Sequence, residues 1–331
     1  VNTETAPGST APDNGTTPRV GGVLRPLLSF LAAAVCAVAI VGLSRLAVGT
    51  ASGQRLDQLI FSGATEHEGR LSTYAEIAVG TVSVPVVSAL LALAVVLVLV
   101  RRRPGQLVGI ATLVLGANLT TQVIKRLLVT REALGPGIDL TPNSFPSGHT
   151  TLAATAIIAL VLAGGRSRVV LAPVGAVWTA AAGIGTLVVG WHRPSDVVGA
   201  ITVVAAWTFL ILALEGMGVR RRRARAAARP DRGRRRRDGA PIDLSHRPRL
   251  PLAERAVAVL LMVLGAAGLV VGGLGLASLP RPLELDDAAL QVSSFVDTAV
   301  LIGGGTAAWM ALTLLLRAPT SHRSPSAERV P

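Results

Sequence analysis

Three short polar clusters carry the chemistry this chain could perform. The first is Lys125-Arg126-Leu127-Leu128-Val129-Thr130-Arg131, at the end of an apolar stretch. Lys125 is the single lysine among 32 basic residues. In a chain that otherwise uses arginine, it points to a need for a compact ammonium rather than a planar fork. The plainer reading is an interfacial cation snorkelling from a helix end, and Arg126 fits that best. The second cluster is Asn143-Ser144-Phe145-Pro146-Ser147-Gly148-His149-Thr150, directly ahead of another apolar stretch. Ser147 is a good helix N-cap, so the amides after it point outward unpaired. Gly148 lets a ligand approach that backbone closely. An anion site at a positive helix end is expected, with His149 beside it. The third cluster is Trp191-His192-Arg193-Pro194-Ser195-Asp196. His192 and Asp196 are four apart and share a face if they lie on one helical turn. A carboxylate bonded to one imidazole nitrogen fixes the tautomer and leaves the other nitrogen as nucleophile or base.

Taken together, the clusters supply two cations, a helix N-terminus, two histidines and an orienting aspartate. A phosphate ester or anhydride asks for this set. Cations and amides hold the phosphoryl oxygens, one histidine attacks phosphorus, and the other protonates the leaving oxygen. No cofactor is needed. No metal is expected either, because two histidines and a few scattered carboxylates make a poor metal cage.

The elements that must position these residues are apolar. Half of the 331 residues are hydrophobic and only 15 % are charged, yet the net charge is +13. That combination fits a membrane protein with basic loops better than a soluble domain, where roughly 25 % of residues are charged. Cys36 is the only cysteine, so an intrachain disulfide and a multi-cysteine metal site are excluded. Apolar stretches at 27–47, 77–100, 107–128, 148–165, 169–191, 196–216, 252–276 and 296–316 come at or near the roughly 20 residues needed to cross hydrocarbon. The expected fold is all-α, a polytopic transmembrane helix bundle of about eight spans. The first span reads as uncleaved, since it follows a long polar tail and lacks a small-residue cleavage site. The chain divides into a disordered cytoplasmic tail at 1–22, a six-span core at 23–216, an Arg-rich cytoplasmic linker at 217–251, two additional spans within 252–317, and a second disordered tail at 318–331.

Arginine orients the bundle. The N-terminal tail, 101–106, 165–168, 217–255 and the C-terminal tail hold 24 of the 32 basic residues. The loops near 45–76, 125–147, 191–196 and 277–297 hold the other eight beside eleven acidic residues. The positive-inside rule then puts both termini in the cytoplasm of a multi-pass plasma-membrane protein, with all three clusters facing outside. The linker has 13 arginines, including Arg220–Arg223 and Arg234–Arg237. It reads as an orientation signal and solvated linker, or as a docking surface for anionic lipids. Nucleic acid is the weakest partner, because no aromatic residue interleaves the run.

The sequence resembles the type 2 phosphatidic acid phosphatase superfamily, which also includes the vanadium haloperoxidases. Pro146-Ser147-Gly148-His149 matches one motif fully, His192 and Asp196 match a second, and Lys125 and Arg131 match a third with one residue fewer than its commonest spacing. The resemblance covers the third to sixth spans closely and the six-span core in outline. It implies that His192 is a nucleophile forming a phosphohistidine, that Asp196 orients it, and that His149 is the general acid. It also implies that Lys125, Arg131, Ser147 and the Gly148 amide bind phosphate. The implied substrate is a lipid phosphate: phosphatidate, phosphatidylglycerol phosphate or polyprenyl diphosphate. Two positions depart from the pattern. Glu132 stands where a proline usually follows the first arginine. Thr186, preceded by Gly185 rather than serine, stands where an arginine usually precedes the nucleophile by six residues. One phosphate-binding cation is therefore missing, with Arg193 and Arg126 as candidate substitutes.

Two alternatives stand beside hydrolysis. One is a phosphotransferase of the same chemistry; the other is a degenerate lipid-binding or scaffold member. A transporter is disfavoured, because acidic residues are nearly absent from mid-span positions. Haloperoxidase chemistry is disfavoured because those relatives are soluble. Glu284, Asp286 and Asp287 read as an acidic solvated loop, and Cys36 as plain packing. His67, His246 and His322 have no partner at useful spacing.

Overall fold

The structure is a computed structural model that describes residues 23–66, 70–138, 143–227 and 251–317. The two tails, most of the Arg-rich linker, and His67, His246 and His322 lie outside the described residues. Every regular element among the described residues is helical: α1 Leu24–Leu43, α2 Ala51–Thr65, α3 Arg70–Gly80, α4 Val84–Val100, α5 Gly105–Val123, α6 Gly148–Ala163, α7 Arg168–Val188, α8 Pro194–Ala227, α9 Leu252–Ala277 and α10 Ala288–Leu316. The fold is therefore the expected all-α polytopic bundle. Six apolar helical stretches are long enough to cross a membrane, and their cores lie in α1, α5, α7, α8, α9 and α10.

The other two expected spans have particular shapes. The stretch at 77–100 is not one helix, because α3 and α4 meet at a 54° bend. Pro85, in the first turn of α4, has no N–H to give to a preceding turn, so a new helix starts there. Trp178 Nε1 on α7 donates to Thr81 Oγ1 at 2.8 Å and pins the break. The fourth stretch, α6, has only 16 residues and rises about 24 Å, short of a hydrocarbon core of about 30 Å. It packs against α4, α5, α7 and α8 and is buried from Thr150 to Ala163, except at Leu152. The loop ahead of it is buried at Phe145, Pro146 and Ser147, which keeps that backbone away from lipid.

Beyond these, three boundaries differ from the sequence reading. The segment at 45–76, expected as a loop, contains α2. Thr50 caps it by accepting from Gly53 N at 3.0 Å, and its buried face carries Gln54, Asp57 and Gln58. Helix α8 runs on to Ala227, past the expected end at 216. Helix α10 starts at Ala288, where Asp287 Oδ1 accepts from Ala289 N at 2.8 Å and Leu290 N at 3.1 Å.

Small residues let the last two helices close on each other. A Cβ on Gly268 would lie 2.8 Å from Gly304 Cα, and one on Gly265 2.6 Å from Ala308 N. Van der Waals packing of this kind holds helices together in lipid, where no hydrophobic drive operates between them. Helix α10 also packs on α2 and α7. At the C-terminal end of α6, Arg101 Nη1 donates to Ala163 O at 2.9 Å and Arg317 Nη1 to Val161 O at 3.5 Å. Arg168 Nε donates to Gly165 O, and its Nη1 lies 3.3 Å from Glu254 Oε1 in a buried pair. These cations satisfy carbonyls that the helix end leaves without partners. Arg317, outside the spans, is brought down to about 10 by burial.

Removing one partner of the buried Arg168–Glu254 pair leaves a charge uncompensated, at a cost of about 3–5 kcal/mol. Glu254→Ala should therefore lower the melting temperature in detergent clearly, whereas Arg255→Ala at the exposed neighbouring position should leave it unchanged.

Candidate active site

The first cluster sits where α5 widens into a π-helical turn over Ile124–Leu128. Lys125 is half-buried and Arg126 is exposed. Asn143 Nδ2 donates to Lys125 O at 2.9 Å and to Val129 O, which ties the second cluster to the first. Phe145 is fully buried, and its ring lies where a Cβ on Gly199 of α8 would fall. Ser147 is the N-cap of α6: its Oγ accepts from Thr150 N at 3.3 Å and Thr150 Oγ1 at 3.0 Å. Gly148 follows, and a Cβ there would meet nothing within 4 Å. The positive end of α6 thus faces open space.

The third cluster turns back from the end of α7. Thr186 O accepts from Trp191 N at 3.0 Å and His192 N at 3.1 Å, and the turn passes through Gly190 at a φ of 72°. His192 is buried, with Nδ1 3.4 Å from Asp196 Oδ2. That oxygen also accepts from Arg193 N at 2.9 Å and from Ser144 Oγ. Ser147 N donates to Asp196 O at 2.9 Å. The His149 ring centroid lies 6.3 Å from that of His192 and 5.2 Å from that of Trp191. Lys125 is within electrostatic range of His149.

Arg131 is the cation closest to this network. Its side chain is 5 % exposed, and Nη2 lies 3.1 Å from Asp57 Oδ2, 3.0 Å from Ser195 Oγ and 3.5 Å from Asp196 Oδ1. Its Nε and Nη1 are buried without a hydrogen-bond partner among the described residues. Donors of that kind are costly unless a ligand takes them. Arg193 is enclosed as well: Nη1 donates to Gln58 Oε1 at 2.8 Å, and the guanidinium lies 5.4 Å from the centre of the Phe61 ring. Thr186 is buried with its hydroxyl donating to Gly183 O at 2.7 Å. A Cβ on Gly185 would lie 3.0 Å from Ala75 O, so α3 sits tightly against α7 here.

All seven residues expected at the site, Lys125, Arg131, Ser147, Gly148, His149, His192 and Asp196, gather at one end of the bundle, around the start of α6. The sequence reading missed the contribution of α2. Asp57 and Gln58 reach Arg131 and Arg193, and Gln54 accepts from Leu134 N at 3.0 Å while donating to Glu132 O at 2.7 Å. The signal was available, since Gln54, Asp57 and Gln58 recur at the three- and four-residue spacing of one helix face. Burial pushes the Asp57 carboxyl up to about 6, with Arg131 opposing the rise and Asp196 adding to it. Among the described residues no group of three or more His, Cys, Asp and Glu is placed to hold a metal ion. A groove of about 570 Å³ opens beside the histidines, lined by Thr65, Ser72, Glu76 and the turn from Val188 to Trp191.

Residues 106–220, about a third of the chain, match a family model described as the PAP2 superfamily. The match runs from α5 to α8 and includes all three clusters, so the resemblance to the type 2 phosphatidic acid phosphatase superfamily holds there. With the membrane-length helices, the match supports a multi-pass membrane protein of phosphatase type. No curated protein and no solved structure matches the chain.

Asp57 carries a testable signature. Its carboxyl holds a proton more tightly in the folded chain than in the unfolded one. The stability this contributes is therefore full below about 4 and fades as pH rises towards about 6. The melting temperature of Asp57→Asn relative to wild type should rise between pH 4 and pH 6 and level off above pH 7. A constant difference across that range would exclude the assignment.

Proposed function

We propose that this chain is an integral-membrane phosphatase that hydrolyses a lipid phosphate monoester or diphosphate through a phosphohistidine on His192. The observation that carries the reading is the pair of histidine rings, 6.3 Å apart at the open N-terminus of α6, beside a buried arginine with unpartnered donors. Phosphatidate, phosphatidylglycerol phosphate and polyprenyl diphosphate are the candidate substrates. The concentration of arginine at the opposite end of the bundle supports an outward-facing site in a plasma membrane with both termini inside. Trp191, 55 % exposed, fits the interfacial aromatic belt.

In this mechanism Arg131, Lys125 and the amides at Gly148 hold the phosphoryl oxygens, with the Ser147 cap fixing those amides. Asp196 keeps the Nδ1 proton on His192, so Nε2 carries the lone pair. Nε2 attacks phosphorus; a P–N bond forms as the P–O bond to the leaving group breaks. Protonated His149 gives its proton to the leaving oxygen. Water then attacks the phosphohistidine and His149 takes a proton from it. The P–N bond breaks and inorganic phosphate departs. Asp196 offsets the positive charge that the imidazole ring carries in between.

Purified protein in mixed micelles should release phosphate from at least one of the three lipids. His192→Ala should abolish release together with an acid-labile phosphoenzyme, and His149→Ala should slow it by about 10²–10⁴-fold. Release at an unchanged rate from His192→Ala would sink the proposal. Thr186 favours one second reading, a lipid-binding member without turnover, which tight lipid binding and no phosphoenzyme burst would establish.

Of the two cations that could stand in for the missing arginine, burial beside the nucleophile favours Arg193 over exposed Arg126. Arg193→Ala should lower kcat by about 10²–10³-fold, as loss of a transition-state donor does. Arg126→Ala should stay within about threefold of wild type. The reverse ranking would reassign the role.

A further inference from the structure

The helix that the family match leaves out reaches the centre of the site. Helix α2 lies outside residues 106–220, yet it is held from two sides. Asp57 Oδ1 accepts from Ser195 N at 3.0 Å, and Asp57 Oδ2 accepts from Ser195 Oγ and from Arg131 Nη2 at 3.1 Å. On its other side, Arg55 Nη2 donates to Leu283 O at 2.6 Å, and a Cβ on Gly63 would lie 2.0 Å from Gln291 O at the start of α10.

We propose that Asp57 is a positioning residue for the phosphate site, locking the Arg131 guanidinium to the first turn of α8 so that its remaining donors face the phosphoryl group. The proposal rests on the phosphatase reading above and assigns a part to a residue that the motif set does not contain. Three physical points support it. A buried guanidinium without a counter-charge is strongly disfavoured, and Asp57 supplies the nearer of the two carboxylates around Arg131. Arginine has five donors in a rigid fork, so fixing Nη2 on a carboxylate fixes the direction of the rest. Ser195 N is an N-terminal amide of α8, so Asp57 caps from another helix the turn that carries Asp196, the partner of His192. With threonine at 186, Arg131 has fewer cations to share the phosphoryl charge with, and its aim matters more. The contacts of α2 with α10 and with the loop before α10 make α10 and that loop a brace for that aim.

The test uses the full chain in detergent and orthovanadate, whose five-coordinate form mimics in-line phosphoryl transfer. Inhibition constants, kcat and KM are measured for wild type, Asp57→Asn, Arg131→Gln and the double variant. Monodispersity and melting temperature serve as fold checks. If Asp57 acts through Arg131, Asp57→Asn weakens orthovanadate binding about 10- to 100-fold, and the double variant binds no more weakly than Arg131→Gln alone. Unchanged orthovanadate affinity in Asp57→Asn, or losses that multiply in the double variant, overturns the proposal while leaving the phosphatase reading intact. If Asp57→Asn does not fold, the double variant, which removes both charges, decides. Recovery of the fold with the affinity of Arg131→Gln supports the proposal, and failure to recover overturns it. A wild-type chain that neither binds orthovanadate nor releases phosphate overturns both readings.

Discussion

The carboxylate of Asp196 is completely buried near one end of an apolar helix bundle, with its hydrogen bonds gathered on Oδ2 and only the Arg131 guanidinium, 3.5 Å away, beside Oδ1. One oxygen accepts from the Arg193 amide, the Ser144 hydroxyl and His192 Nδ1, while the other faces Arg131. Its own backbone carbonyl takes the amide of Ser147, the residue that caps α6. A single side chain and its peptide group thus join three segments that are far apart in sequence. A charge in this setting is tolerated only when its hydrogen bonds are all present together. The loop ahead of α6, the turn after α7 and the segment after α5 that carries Arg131 therefore depend on one another.

The apolar architecture serves that polar knot by enclosing it. Helix α6 packs against α4, α5, α7 and α8, so its amide end is positioned by its protein neighbours. Glycines pay for the close approaches: Gly199 makes room for Phe145, Gly183 for Val197, and Gly116 for Trp207. Some polar side chains inside the bundle pair with one another across helices. Thr121 and Thr151 share a hydrogen bond of 3.1 Å, and Asn118 Nδ2 donates to Thr155 Oγ1 at 3.3 Å. In a water-poor interior such pairs set helix register as well as adding stability.

Much of the architecture was legible in the sequence. Runs of apolar residues mark the spans because the bilayer imposes length, and Ser147-Gly148 marks a helix start because capping has few chemical solutions. The bend between α3 and α4 was less visible; Pro85 signals it, but proline is also tolerated inside membrane helices. Helix α2 was missed for a different reason. The spacing of Gln54, Asp57 and Gln58 marks a helix face, but the partners of α2, Arg131, Ser195 and Gln291, lie 74 or more positions away along the chain, so the sequence does not show that this face meets the site. Arg193 and Arg126 differ little as sequence positions. Burial separates them, and burial is a property of the assembled helices.

The brevity of α6 has a consequence for how the two reactants arrive. The helix rises about 24 Å between the arginines at one end and the histidines at the other, roughly 6 Å less than the hydrocarbon it sits in. If the site works as proposed, the imidazoles lie short of the outer aqueous boundary, a lipid phosphate reaches them from within the leaflet, and the hydrolytic water must reach the same depth beside Trp191, which is 55 % exposed.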